Sequence, residues 1–458
     1  MSNKAVCLLA FVLAVSSVVA VLPVKAESNI IIVPDDYATI AEAIQHASSG
    51  DTISVKNGVY LEPTLDLNKS VSLVAQGDNV VLTLNPPLVE QFILRNRLWI
   101  PVAAVTIDAD NVKLEGFTIN VPRGDYGYGG GLHATGNRIQ LVNNIIENNT
   151  VYLSGNSAVI EKNVFGDSLE LVGDNQTIRD NIVKGLKLQG AHCIIEQNSL
   201  SETTLAGKVY LNGSFNLVSE NTFPWLTVEE NSNNNVILKN SFQNLVLSRC
   251  SDSLITKNSF AGNGGYNNGI AIQEGTNNIV AANTIRDCDT GLSLSGELTQ
   301  TTVYQNNFVN NTQNIQYYGD YDWAESNRFD DGTKGNYYDD YKGADGNWDG
   351  VGDSPVRVEG TRWSSANGGV VSAGFAEDHY PLMKPVDIDS VAVDLPDWAK
   401  NNYEETAEPA TPEVPILPVA AALTAIIVAV AGIVYYKKRD PEKKGLALMR
   451  KEIRVWSA

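Results

Sequence analysis

Ile160-Glu-Lys-Asn163-Val-Phe165, Ile178-Arg-Asp-Asn181-Ile-Val183 and Ile195-Glu-Gln-Asn198-Ser-Leu200 are three copies of one pattern, apolar-x-x-Asn-x-apolar, and its recurrence decides the fold. Outward from them it returns at Leu141…Asn144, Val218…Asn221, Ile237…Asn240, Ile255…Asn258, Val280…Asn283 and Val303…Asn306, with a weaker copy at Ala324…Asn327-x-Phe329. Successive Asn residues lie 19, 18, 17, 23, 19, 18, 25, 23 and 21 positions apart. That period is too short for a helical hairpin with its turns, and the segments around each Asn alternate apolar and polar as strands do. Each repeat is therefore one coil of a solenoid, its short strands pairing in parallel with the coils above and below at about 4.8 Å per coil. The expected fold class is all-β, a right-handed parallel β-helix with a short N-terminal capping helix and one C-terminal transmembrane helix.

A polar residue recurring between apolar ones is costly unless it is bonded. At a bend, Asn tolerates left-handed backbone angles, and its amide can donate to and accept from the Asn of the next coil. The expectation is a structural ladder of Asn144, Asn163, Asn181, Asn198, Asn221, Asn240, Asn258, Asn283 and Asn306. Gly136-Asn137, Gly155-Asn156, Asp174-Asn175, Asn234-Asn235 and Asn277-Asn278 mark a second corner. Thr39-Ile-Ala-Glu42-Ala-Ile-Gln-His-Ala47 reads as a short amphipathic helix opened by a Thr-x-x-Glu box, suited to plug the N-terminal end.

The opening Val33-Pro-Asp-Asp-Tyr-Ala-Thr-Ile40 with Gly50-Asp-Thr-Ile-Ser-Val-Lys-Asn-Gly-Val-Tyr60, the Asn repeats, and the closing Gly335-Asn-Tyr-Tyr-Asp-Asp-Tyr341 with Asp378-His-Tyr-Pro-Leu382 resemble the NosD-type β-helix proteins, above all their archaeal cell-surface relatives, over about residues 30–385. The resemblance implies either an accessory role in copper delivery, known for one member of that family, or the carbohydrate binding and sugar hydrolysis found across the wider repeat group. It specifies fold strongly and function weakly.

The termini place the chain. Residues 1–26 run Lys4, an apolar block to Leu22, then Val24-Lys-Ala26, the order of a secretory signal peptide. Residues 416–436 are about 20 uncharged, mostly apolar residues, long enough to span a bilayer. The basic tail 437–458 follows, which puts it in the cytoplasm and the body outside a cell membrane crossed once. Between them the expected order is an N-terminal cap with first coils (27–110), β-helix repeats (111–330), a C-terminal cap with an Asp-rich loop (331–390) and an acidic, Pro-rich stalk (391–415). Residues 27–436 carry 23 basic and 50 acidic residues, a balance that excludes nucleic acid as a partner. With Cys7 in the signal segment, Cys193, Cys250 and Cys288 are an odd set without metal-type spacing and read as small core residues, although two could pair on adjacent coils.

Chemistry has few footholds. Asp345-Gly-Asn347-Trp-Asp349-Gly-Val351-Gly-Asp353 offers alternating oxygen ligands, a glycine for the sharp turn and a carbonyl at Val351, the pattern of a calcium loop. The bidentate Glu of that pattern is replaced by Val356, so Asp339, Asp340 or Asp378 would have to supply a further ligand. Copper favours His, Cys and Met, and between the signal segment and the membrane span these are scattered: His46, His133, His192, His379, three Cys and Met383. The coils 137–310 hold no adjacent Asp-Asp pair and few face cations, which favours a non-catalytic rod, with a polysaccharide lyase or hydrolase as the alternative. Arg123–Gly131 and Gly264–Asn268 interrupt the period with Gly and Tyr, and Trp225, Trp323, Tyr317, Tyr318 and Tyr321 add aromatics suited to sugar faces. Asn68, Asn148, Asn175, Asn212 and Asn310 stand in glycosylation sequons. The sequence thus points to a surface-anchored β-helix with a binding or structural role at the cell envelope, its expected partners being glycans or envelope proteins.

Overall fold

The computed structural model describes residues 28–400 except 86–87, 94–95, 102, 122–130, 148, 201–207, 263–267, 320–322 and 365–367. The expected signal peptide, membrane span, basic tail and Asn148 lie outside the described residues, as do most of the Arg123–Gly131 and Gly264–Asn268 interruptions. No helix among the described residues is long and apolar enough to cross a membrane.

Short strands dominate, and nearly all pair in parallel with the strand one coil away. They form three faces. On the first, Leu132–Ala134, Val151–Ser154, Ser168–Val172, Gly185–Gln189 and Lys208–Asn212 stack in unbroken register. The second runs through Gln140–Val142, Val159–Glu161, Thr177–Arg179, Ile194–Glu196 and Leu217–Ser219. The third runs through Ile145–Glu147 and Val164–Phe165 and on to Thr284–Arg286 and Asn307–Val309.

Alternation sends every second side chain inward, where like stacks on like. Leu141, Ile160, Ile178, Ile195, Val218, Ile237 and Ile255 are all fully buried. On the third face Phe223, Phe242 and Phe260 stack in register, Ile285 follows, and Phe308 closes against Tyr338 at a centroid distance of 5.5 Å. Each such aliphatic or aromatic side chain stabilises the fold by about 1.5–3 kcal/mol through burial. The helix Ile40–His46 caps the N-terminal end. The Thr39 hydroxyl accepts from the Glu42 N–H at 3.1 Å, and Ile40, Ala43 and Ile44 are buried.

The corner between the second and third faces turns on a left-handed residue, but that residue is the one before the Asn: Lys162 (φ 57°), Asp180 (55°), Gln197 (56°), Glu220 (56°) and Lys239 (54°). The shift has a physical reason. A polar residue that is exposed or half-exposed takes the strained angle, which leaves the Asn free to point its amide into the core.

Beyond Leu382 the chain turns back along the coils. Val386 and Asn307 exchange two hydrogen bonds (2.7 and 2.8 Å), Lys257 Nζ donates to Asp389 O at 3.0 Å, and Trp398 meets Phe215 edge to face at 5.9 Å. These anchors lie on successively earlier coils, so residues 384–400 form a strap. On the same stretch of the second face the outward residues are apolar and buried: Leu217 (1% exposed), Val236 (1%), Leu238 (3%) and Leu254 (5%). The first ten residues of the expected stalk over 391–415 therefore belong to this strap. Val391 and Ala399 are buried, because apolar strap residues find an apolar sheet face to cover; 401–415 lie outside the described residues.

Candidate functional site

The repeating Asn residues come together in one line. Asn144 donates its N–H and its amide to Asn163 Oδ1 (2.9 and 3.0 Å), Asn163 does the same to Asn181, and the relay continues through Asn198, Asn221, Asn240, Asn258, Asn283 and Asn306. The second amide hydrogen goes to a backbone carbonyl, as from Asn163 to Leu141 O at 2.7 Å, so each rung is satisfied. Asn306 passes the line to Asn336, and Asn336 to Asp378 Oδ2. Asn327 belongs instead to the second corner, accepting from Thr301 N. Asn336 and Asp378 escape the repeat pattern, since one precedes Tyr-Tyr in a cap and the other is not an Asn.

Asp378 is fully buried and accepts from Asn336, Tyr338 Oη and Tyr380 N. Burial pushes its carboxyl up to about 6, against the pull of those donors. A chain of amides that all donate in one direction needs a terminal group that only accepts, and the carboxylate is that group.

The Asp345–Asp353 loop is exposed and closes on its own backbone. Asp345 accepts from the N–H of Asp349 and Gly350, Asn347 from Asp349, Asp349 from Val351, and Asp353 from Gly346. The further ligands considered are engaged elsewhere: Asp339 by Asn310 N, Asp340 by Asn314, and Asp378 in the ladder. No three acid, His or Cys side chains gather as a metal cluster among the described residues. Of the sequons, Asn68, Asn175, Asn212 and Asn310 are exposed.

The four histidines sit apart. His46 stacks on Tyr37, His133 on Tyr152 and His192 on Phe215, while His379 bonds Asp330 at 3.1 Å. Among the described residues Cys193, Cys250 and Cys288 are free and buried. Desolvation pushes the Cys193 thiol up to about 12 and those of Cys250 and Cys288 up to about 11. Cys193 serves the second corner, accepting from Gln176 N where other coils use an Asn.

A cleft of about 790 Å³ opens where the last coils meet the antiparallel pair Val356–Ser364 and Gly369–Asp378. Glu274, Glu297, Tyr318, Arg362 and Trp363 are among its lining. Register explains the meeting: Tyr318 pairs with Thr361, which brings the hairpin down onto the strand Gln313–Tyr318. Trp363 is 59% exposed and Tyr318 43%, so two aromatic surfaces face solvent there. Glu274 is held by Arg249 Nε at 3.0 Å. Gly296 has φ 76°, and a Cβ there would meet Glu274 Cγ, so the floor between the two acids requires glycine. Tyr317, by contrast, is buried and donates to Gly296 O at 2.7 Å. Trp225 is half-buried on the first face beneath Lys208.

Coils stacked in parallel around a column of inward aliphatic residues define the class, a right-handed parallel β-helix. Within it, the chain belongs to the family described as periplasmic copper-binding protein (NosD), whose family model matches residues 101–343. No curated protein sequence matches the chain significantly. Among solved structures it is similar to the DFA-IIIase of Arthrobacter chlorophenolicus (14% identity, TM-score 0.46, covering 60% of this chain and 93% of that one). It is also similar to the A-module of a mannuronan C-5 epimerase of Azotobacter vinelandii (14%, 0.40, 64% and 88%) and to the surface adhesin PfbA of Streptococcus pneumoniae (12%, 0.38, 75% and 98%). The copper in the family's description would need His, Cys or Met donors brought together. Here each histidine has a different neighbourhood and the thiols of Cys193, Cys250 and Cys288 are each sealed in a different coil, so the described residues do not fit that metal.

Proposed function

We propose that this is an exported β-helix protein, held at a cell membrane by residues 416–436 with its body outside, that recognises carbohydrate through the cleft at its C-terminal end. One observation carries the reading: Tyr318 and Trp363 stand exposed beside Arg362, Glu274 and Glu297. Exposed aromatic planes take the apolar faces of sugar rings, and flanking charged groups take their hydroxyls. Arg249 ties Glu274 down, which favours a positioned acceptor over a reacting acid. Calcium belongs to the proposal as a stabiliser of the Asp345–Asp353 loop, whose hard oxygens are of the right type. The sequons Asn68, Asn175, Asn212 and Asn310 suit a glycosylated surface.

The test is a glycan array with the full chain in detergent, run beside Trp363→Ala and followed by product analysis. Selective binding lost in the variant, with no cleavage, supports the reading. Cleavage of a bound sugar would make the cleft an active site and overturn the binding-only assignment.

A further inference from the structure

The cleft holds an acid that the rest of its lining does not balance. Strands Asn268–Thr276 and Thr290–Thr299 run in register up to Gln273 opposite Ser295 and resume at Gly275 opposite Leu298, so Glu274 faces two residues, Gly296 and Glu297. A bulge of this kind re-aims side chains, and here it delivers a second carboxylate to the cleft. Arg249 stands between Glu230 and Glu274, 2.8 Å from Glu230 Oε1 and 3.0 Å from Glu274 Oε2, so one cation serves both acids. Glu297 is exposed, and its carboxylate has no ion pair or hydrogen bond among the described residues. Three carboxylates thus stand against two guanidinium groups, those of Arg249 and Arg362, and Glu297 is the excess. The exposed rings of Trp363 and Tyr318 share the lining, and among the described residues neither is stacked on another ring or covered by a cation.

We infer that the cleft selects a glycan that carries a protonated amine, an amino sugar without an acyl group, whose ammonium is received by Glu297. The inference rests on the recognition reading above and names the ligand class. Three physical terms favour that occupant. A neutral sugar lying over Glu297 strips water from a carboxylate and returns only hydroxyl donors, whereas an ammonium returns a charge-assisted bond. The aromatic rings that take a sugar face also attract a cation at that face. An acidic sugar meets the uncompensated carboxylate and a protein of net charge −20, which repels it and draws cations in.

The test is calorimetric titration of the full chain in detergent with β-1,4-linked glucosamine oligosaccharides, beside the N-acetylated oligosaccharides of equal length, galacturonate oligosaccharides and a lysine-rich peptide. The glucosamine series is expected to bind about tenfold or more tighter than the acetylated one, the margin of one charge-assisted bond, and that preference should shrink as salt rises. Glu297→Gln, an exposed change of equal size, should erase the preference while leaving acetylated oligosaccharides bound and the melting temperature unchanged. Trp363→Ala should weaken both series. Glu170→Gln, an acid on the first face several coils away, should alter neither; a fall there as large as in Glu297→Gln would mean attraction by the general field and overturn the site. Equal binding of the two series, or a preference that survives in Glu297→Gln, also overturns it and leaves the recognition reading standing. A lysine-rich peptide bound as tightly as the glucosamine series would show a cleft that reads any ammonium, and the amino sugar assignment falls. If no glycan of any kind binds, the recognition reading falls and this inference with it.

Discussion

Two flanks of the same coils have opposite surfaces. Where the strap lies on the second face, outward positions are Leu217, Val236, Leu238 and Leu254, each at most 5% exposed. On the open first face, outward positions a few coils earlier are Tyr152, Glu170, Lys187 and Tyr210. The inward residues beneath both flanks are the same kind of aliphatic stack. In a solenoid the inward pattern therefore states the fold, and the outward pattern states what lies against it.

The harshest way to break the comparison is to give the strapped flank the chemistry of the open one. Leu238→Asp buries a charge without a partner and should cost about 3–5 kcal/mol, read as a lowered urea midpoint; an unchanged midpoint would mean the strap does not seal the flank. Next comes pH, acting at Asp378, just before the chain enters the strap. Its folded pKa, about 6, lies above the ordinary 3.8, so its contribution to stability is full below the ordinary value and is lost as pH rises through about 6. Stability should drop by up to about 3 kcal/mol between pH 4 and pH 7, and Asp378→Asn should flatten this region of the profile. Trp398→Ala should cost about 2 kcal/mol and speed hydrogen exchange in the strand Val236–Leu238, which lies under the strap, while leaving Gly185–Gln189 alone. Calcium should raise the melting temperature by an amount corresponding to about 1 kcal/mol or less, lost in Asp345→Asn. Smallest of all, Lys187→Ala on the open flank should change stability by no more than about 0.5 kcal/mol.

Much of this fold is legible in the sequence, for a definite reason: inward side chains repeat because every coil presents the same interior. Ile160, Ile178 and Ile195 announce one another, and the Asn beside each marks the corner where an amide is needed. The left-handed residue is harder to see. Any side chain that reaches solvent can occupy it, so Lys162, Asp180 and Gln197 share no visible type. The strap is harder still, because residues 384–400 follow an irregular path with no period, and the Leu and Val outside the second face look like ordinary strand residues until their cover is known. The cleft is out of reach of pattern reading. Glu274, Glu297, Tyr318 and Trp363 come from four separate strands and meet only through register.

The strap also determines how the molecule bears load. Tension applied to the chain beyond Lys400 reaches the rod on its side, at the Trp398–Phe215 contact, and not at its capped end. The attachments then give way in sequence, the aromatic contact first, the Lys257–Asp389 bond second and the paired bonds of Asn307 with Val386 last. A pull of this kind peels before it shears, so the strap lengthens under force while the coils and the Asn ladder stay intact.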